Sequence, residues 1–190
     1  GNGAFSNEKV IVDNALDVID VHPADLDGDG DVDLLYAPAD AGVVNWVENT
    51  DGDGTFSAPK EITNLVSAPT SVYTADFNRD GRLDVLTASY FDDKIAWYVQ
   101  TESFGVIDFG DQTIISTAAD GAESVFAADL DGDGDTDVLS ASDRDDEIAW
   151  YENAPGGNLP VEMATFTASA SGETVTLDWA TASETNNAGF

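Results

Sequence analysis

The chain has 190 residues, with 6 Lys and Arg against 38 Asp and Glu and a formal charge of −32. That balance repels nucleic acid and anionic membrane surfaces, and the absence of cysteine excludes disulfides, thiolate metal sites and cysteine nucleophiles. A hydrophobic share of 42% with four Trp, nine Phe and five Tyr suffices for a packed core, and no apolar run is long enough to span a membrane.

In chain order, residues 1–11 (GNGAFSNEKVI) parallel residues 52–62 (GDGTFSAPKEI) and read as the last strand of a preceding unit. Three segments, 20–49, 71–100 and 124–153, then align without a gap, and Trp46, Trp97 and Trp150 fall at one position of the repeat. A period near 50 residues containing several short strands is the length of a propeller blade. Each unit reads as four strands. The first is short and apolar, as at 72–75, and the second is rich in β-branched residues, as at 84–88. The third ends on the Trp, as at 94–99, where alternation places Ile95 and Trp97 on one face. The fourth follows a polar turn, as at 56–62 after Asp51-Gly52-Asp53-Gly54. The units are therefore about 20–62, 71–115 and 124–153, and the class is all-β. Residues 154–160 (APGGNLP) read as a linker, followed at 161–168 and 174–180 by two strands.

Between the first and second strands of each unit lies Asp-x-Asp/Asn-x-Asp-Gly-x-x-Asp. The copies are Asp25, Asp27, Asp29, Gly30, Asp33; Asp76, Asn78, Asp80, Gly81, Asp84; and Asp129, Asp131, Asp133, Gly134, Asp137. Oxygens at positions 1, 3 and 5 converge when such a loop curls, and glycine at position 6 permits the sharp turn. A backbone carbonyl at position 7 (Asp31, Arg82, Asp135) and the carboxylate at position 9 complete a shell of hard oxygens that suits Ca²⁺ better than Mg²⁺. Bare solvated turns are the alternative. Two carboxylates about 5 Å apart repel by about 3 kcal/mol at an effective dielectric near 20, so an acidic loop resists folding until a cation joins it. An EF-hand is excluded because position 12 holds Tyr36, Thr87 and Ser140 where an acid is needed. Up to three Ca²⁺ are expected. The second loop, with three carboxylates, one Asn, Arg79 and Arg82, is expected to bind least tightly.

These loops, the Trp-bearing third strands and the Gly-x-Gly-x-Phe turns at 1–5 and 52–56 resemble the FG-GAP or VCBS repeats of calcium-binding β-propellers, integrin α subunits among them. Ser57-Ala58-Pro59 and Phe104-Gly105 stand as echoes of the motifs that name the family. The resemblance covers about residues 1–153. It implies a propeller fragment of three four-stranded blades plus a strand of another, with further repeats upstream, structural ions, and ligands taken on the opposite face. Residues 161–190, and 183–190 (SETNNAGF) above all, resemble the start of the β-sandwich module that precedes a type IX secretion sorting domain, which implies export. The plainer alternative makes 161–166 the fourth strand of the third unit.

Other candidates read as structural. His22 aligns with Tyr73 and Phe126 and reads as a packed or rim residue. Asp40, Asp92-Asp93 and Asp145-Asp146-Glu147 fall in the hairpins between second and third strands and read as solvated turns, not as a glycosidase pair. The three Trp read as core between blades. The expectation is a non-catalytic platform, extracellular or on a bacterial cell surface, for a protein or glycan partner, with neither nucleic acid nor membrane insertion. The alternatives are an accessory propeller of a secreted polysaccharide-degrading enzyme and a structural spacer in a large adhesin.

Overall fold

The computed structural model describes residues 3, 5, 8–153, 163–171 and 174–181. β1 (Val18–Ala24), β2 (Asp33–Pro38), β3 (Val44–Val47) and β4 (Lys60–Thr63) pair in that order as an antiparallel sheet. β5 (Pro69–Ala75), β6 (Asp84–Ser89), β7 (Lys94–Tyr98) and β10 (Thr113–Ser116) form the second sheet, with a separate hairpin of β8 (Gln100–Ser103) and β9 (Val106–Phe109) inserted before its fourth strand. β11 (Ala122–Ala128), β12 (Asp137–Ser142) and β13 (Glu147–Tyr151) form the third sheet. A second unit carries the hairpin of β14 (Met163–Ser171) and β15 (Thr174–Thr181). The described residues hold no α-helix, and the successive antiparallel meanders are consistent with a β-propeller fragment.

The repeat recurs in backbone detail. The register of each first strand slips at the same place, between Val18 and Asp20, Pro69 and Ser71, and Ala122 and Ser124. The residue before each of these strands has a positive φ: Asp17 at 51°, Ala68 at 52° and Gly121 at 68°.

The cores lie between sheets, so a middle sheet must be apolar on both faces. β6 is buried at every position, and its alternation sends Val85 to one cluster and Leu86 and Ala88 to another. The first cluster joins Leu35, Ala37, Val44 and Trp46 of the first sheet to Val72, Val85, Ala96 and Tyr98 of the second. The second joins Leu86, Ala88 and Ile95 to Val125, Ala127 and Val138, with Trp97 packed against it. Trp97 meets Phe77 edge-on at 5.6 Å, and the rings of His22, Tyr73 and Phe126 form a ladder across the three first strands at 4.6 Å spacing. His22, also hydrogen-bonded to Thr74 at 3.0 Å, is thus a packing residue, with its pKa lowered by burial against the opposing charge of Asp20.

Three local readings are refined. The fourth strand of the first unit is shorter than 56–62, because Phe56 makes only an isolated bridge to Asn49 and pairing with β3 begins at Lys60. Phe104-Gly105 forms the two-residue turn of the β8–β9 hairpin, with both φ values positive at 53° and 76°. Of the 1–11 segment, residues 3, 5 and 8–11 are described and none of them is in a strand; the rest of that reading lies outside the described residues. A fourth strand takes its hydrogen bonds from the third strand of its own sheet, and the sheet on this side begins with β1, paired only to β2.

Candidate metal centres

Antiparallel order places every loop between first and second strands at one end of the sheets and every hairpin between second and third strands at the other. The Asp-rich loops therefore line up at one end, and local hydrogen bonds shape each of them alike. The first Asp caps the turn: Asp25 accepts from the amides of Gly28 (2.9 Å) and Gly30 (3.1 Å), and Asp129 from Gly132 (2.7 Å) and Gly134 (3.1 Å). Asp76 accepts from Asp80 (3.0 Å) and Gly81 (2.9 Å). Position 3 accepts from the amide of position 5, at 3.2 Å for Asp27, 2.9 Å for Asn78 and 3.1 Å for Asp131. Position 5 accepts from position 7, at 2.8 Å for Asp29, 2.9 Å for Asp80 and 2.8 Å for Asp133. Such bonds draw the side chains inward, and a carboxylate with an amide on one oxygen keeps lone pairs for a cation.

Oxygens of Asp25, Asp27 and Asp29 lie within 4.8 Å of one another, as do those of Asp129, Asp131 and Asp137, and either group could hold a metal ion. The second loop forms no such group of three acids. Asn78 stands at its third position, and Asp80 is engaged by the Arg82 guanidinium and by the Asn78 side-chain amide at 3.1 Å.

Position 9 has a second role that its spacing did not reveal. Asp33, Asp84 and Asp137 are buried, and each ties the start of its loop down, accepting from Leu26 (2.9 Å), Phe77 (3.2 Å) and Leu130 (3.0 Å). The other oxygen holds the chain just beyond the third strand: Asp33 accepts from Asn49 at 2.8 Å and Asp84 from Gln100 at 2.8 Å. Gln100 also donates its side-chain amide to the Leu26 carbonyl at 2.5 Å, crossing from the second sheet to the first loop. Asn49 and Gln100 close their aligned segments, so the signal was a polar residue recurring at one position of the repeat.

These carboxylates are held at an electrostatic cost. Burial pushes Asp84 from 3.8 up to about 6, opposed by the amides of Gln100 and Phe77 and reinforced by the charges of Asp80 and Asp76. Burial likewise raises Asp27 and Asp33, against the amides they accept from, with neighbouring acids adding to the rise.

At position 7 the side chains turn to other partners. The Asp31 carboxylate lies over Gly52, where an added Cβ would collide with its Oδ1. Arg82 donates its Nε to the Gln100 carbonyl at 3.3 Å, and Asp135 pairs with Arg79.

At the opposite end, three of the hairpin acids, Asp92, Asp93 and Asp145, have partners. Asp92 accepts from Ser89 Oγ at 2.5 Å and pairs with Lys94 at 2.8 Å. Asp145 accepts from Ser142 Oγ at 2.5 Å and from the Asp120 amide at 3.0 Å, while Asp93 accepts from the Gly121 amide at 3.0 Å.

Repeated antiparallel sheets packed face to face, each carrying an Asp-x-Asp/Asn-x-Asp-Gly loop at the same end, define a β-rich repeat protein. The family model for the FG-GAP-like repeat matches three times, at residues 25–87, 80–140 and 129–180, and the chain belongs to this family. The third match runs past the stretch read as a linker and on through most of β15. No curated protein matches the chain. FG-GAP repeats are generally non-catalytic modules, and no helix among the described residues is long and apolar enough to cross a membrane.

Proposed function

We propose that this chain is a calcium-stapled region of an extracellular β-propeller and that its work is binding, not catalysis. One observation carries the reading: the same inward-turned set of side-chain oxygens recurs at one end of three sheets, and in two of them three acids converge within 4.8 Å. Asp25, Asp27 and Asp29 with the Asp31 carbonyl and Asp33 would hold one Ca²⁺. Asp76, Asn78 and Asp80 with the Arg82 carbonyl and Asp84 would hold a second. Asp129, Asp131 and Asp133 with the Asp135 carbonyl and Asp137 would hold a third. Calcium would supply charge neutralisation there, and the chain's own part is to aim the oxygens and tie each loop to its third strand. Modules of this kind outside the cell bind calcium at about 10⁻⁴–10⁻³ M, which suits loops as open to solvent as these.

The opposite end, built from the second-to-third hairpins, is left to present a ligand site for protein or glycan. A glycan array run beside a panel of polysaccharide substrates tests this. Calcium-dependent retention without cleavage supports a binder. Cleavage points to an enzyme, and neither result points to a spacer.

A further inference from the structure

The second and third loops are joined by one side chain. Arg79, at position 4 of its loop, pairs with Asp135 at position 7 of the next, and their side chains are 54% and 8% exposed. Three features show that this contact is built in. Position 4 is in the left-handed region in all three loops, at 75° in Gly28, 60° in Arg79 and 82° in Gly132. The sister loops use glycine there, and a long side chain at such a φ is unfavourable unless something offsets it. Gly134 leaves room for the guanidinium, since a Cβ on it would stand 3.3 Å from the terminal nitrogen of Arg79. Asp135 is buried, and its second oxygen has no hydrogen-bond partner, so the arginine is the group that balances its charge. No equivalent pair can form between the first and second loops, where position 4 is Gly28 and position 7 is Arg82.

We propose that Arg79 is a clamp between sheets: it supplies the counter-charge of buried Asp135 from the neighbouring loop, so the third loop holds its shape only while the second does. The ordering has a further consequence that rests on the calcium reading above. The Asp135 carbonyl is one of the expected ligands in the third loop. An occupied second loop fixes Arg79, Arg79 fixes Asp135, and the third loop meets its ion with less left to order. By linkage the third loop favours the second to the same degree.

The test is a double-mutant cycle in the whole chain with Arg79→Gly, Asp135→Asn and both, melted in calcium-free and calcium-saturated buffer. Glycine at a left-handed position relieves strain, so on backbone grounds alone Arg79→Gly would raise the melting temperature. The clamp predicts instead that each single change lowers it by about 2–4 °C and that the double variant is no worse than the worse single. Additive effects, or a gain from Arg79→Gly, overturn it. For the coupling, NMR follows the amides of Gly81 and Gly134 during calcium titration. Asp76→Asn in the second loop should weaken binding at the Gly134 loop about fivefold, and should leave it unchanged once Arg79 is glycine. Equal weakening in both backgrounds refutes the coupling. If no calcium binds, the calcium reading fails while the calcium-free cycle still decides the clamp. If calcium binds and the cycle is additive, the clamp alone fails.

Discussion

Asp84 offers a pH experiment whose sign is opposite to that of a carboxylate held ionised by a salt bridge. The residue is 0% exposed, and burial raises its carboxyl from 3.8 to about 6. The folded chain therefore holds this proton more tightly than the unfolded chain does. Its stabilising contribution is fully present below pH 3.8 and is lost as pH rises through about 6. A change of this size corresponds to at most about 3 kcal/mol. Without calcium, urea denaturation followed by Trp fluorescence should show stability falling from pH 4 to pH 7. Asp27 and Asp33, raised in the same direction, steepen the fall. Asp84→Asn isolates the residue: the amide loses an acceptor for the Gln100 or Phe77 backbone, a pH-independent cost of about 1–3 kcal/mol, and removes the titration. The variant's slope should therefore be shallower by up to about 3 kcal/mol across that window, and saturating calcium should flatten the wild-type curve. Calcium-free stability that rises between pH 5 and pH 7, or an Asp84→Asn variant with the full wild-type slope, would refute the reasoning.

Other outcomes follow from the same structure. Calorimetric titration should resolve two tighter calcium sites and one weaker, because the second loop has three carboxylates where its sisters have five and engages Asp80 with Arg82; a second loop that binds tightest contradicts the charge argument. Trp46→Ala should cost about 3–5 kcal/mol in urea, since Trp46 is 2% exposed, whereas Trp150→Ala should cost much less because that ring is 50% exposed; equal losses would count against the core described here. Gln100→Ala should destabilise by about 1–3 kcal/mol in calcium-free urea denaturation, by leaving the buried Leu26 carbonyl without its donor; a neutral result would show that the bond adds nothing to the join between the sheets.

What the sequence made legible was local or periodic. A loop of nine residues carries its geometry in its own spacing, so Asp25, Asp76 and Asp129 and their partners could be placed without knowing the fold. The Trp period exposed the repeat, and alternation put Ile95 and Trp97 on one face. Features that depend on neighbours in space were hidden. The β8–β9 hairpin turns on Phe104-Gly105, which lacks the Asn-Gly or Asp-Gly signal of a two-residue turn, so its strands merged into the run before β10. Position 9 looked like a ligand alone because its amide partners at Asn49 and Gln100 lie 16 residues away. Arg79 read only as lost negative charge in its loop, because its partner Asp135 belongs to the next repeat. The readings at 154–162 and 182–190 lie outside the described residues.

The most direct test of the account is the thermal melt of the chain as calcium is added and then removed by a chelator. A site filled at about one hundred times its dissociation constant adds about 2.7 kcal/mol, so even two occupied loops should raise the melting temperature by about 10 °C or more, and the chelator should return it. A melt that is the same with saturating calcium and with chelator would contradict the claim that calcium holds these loops.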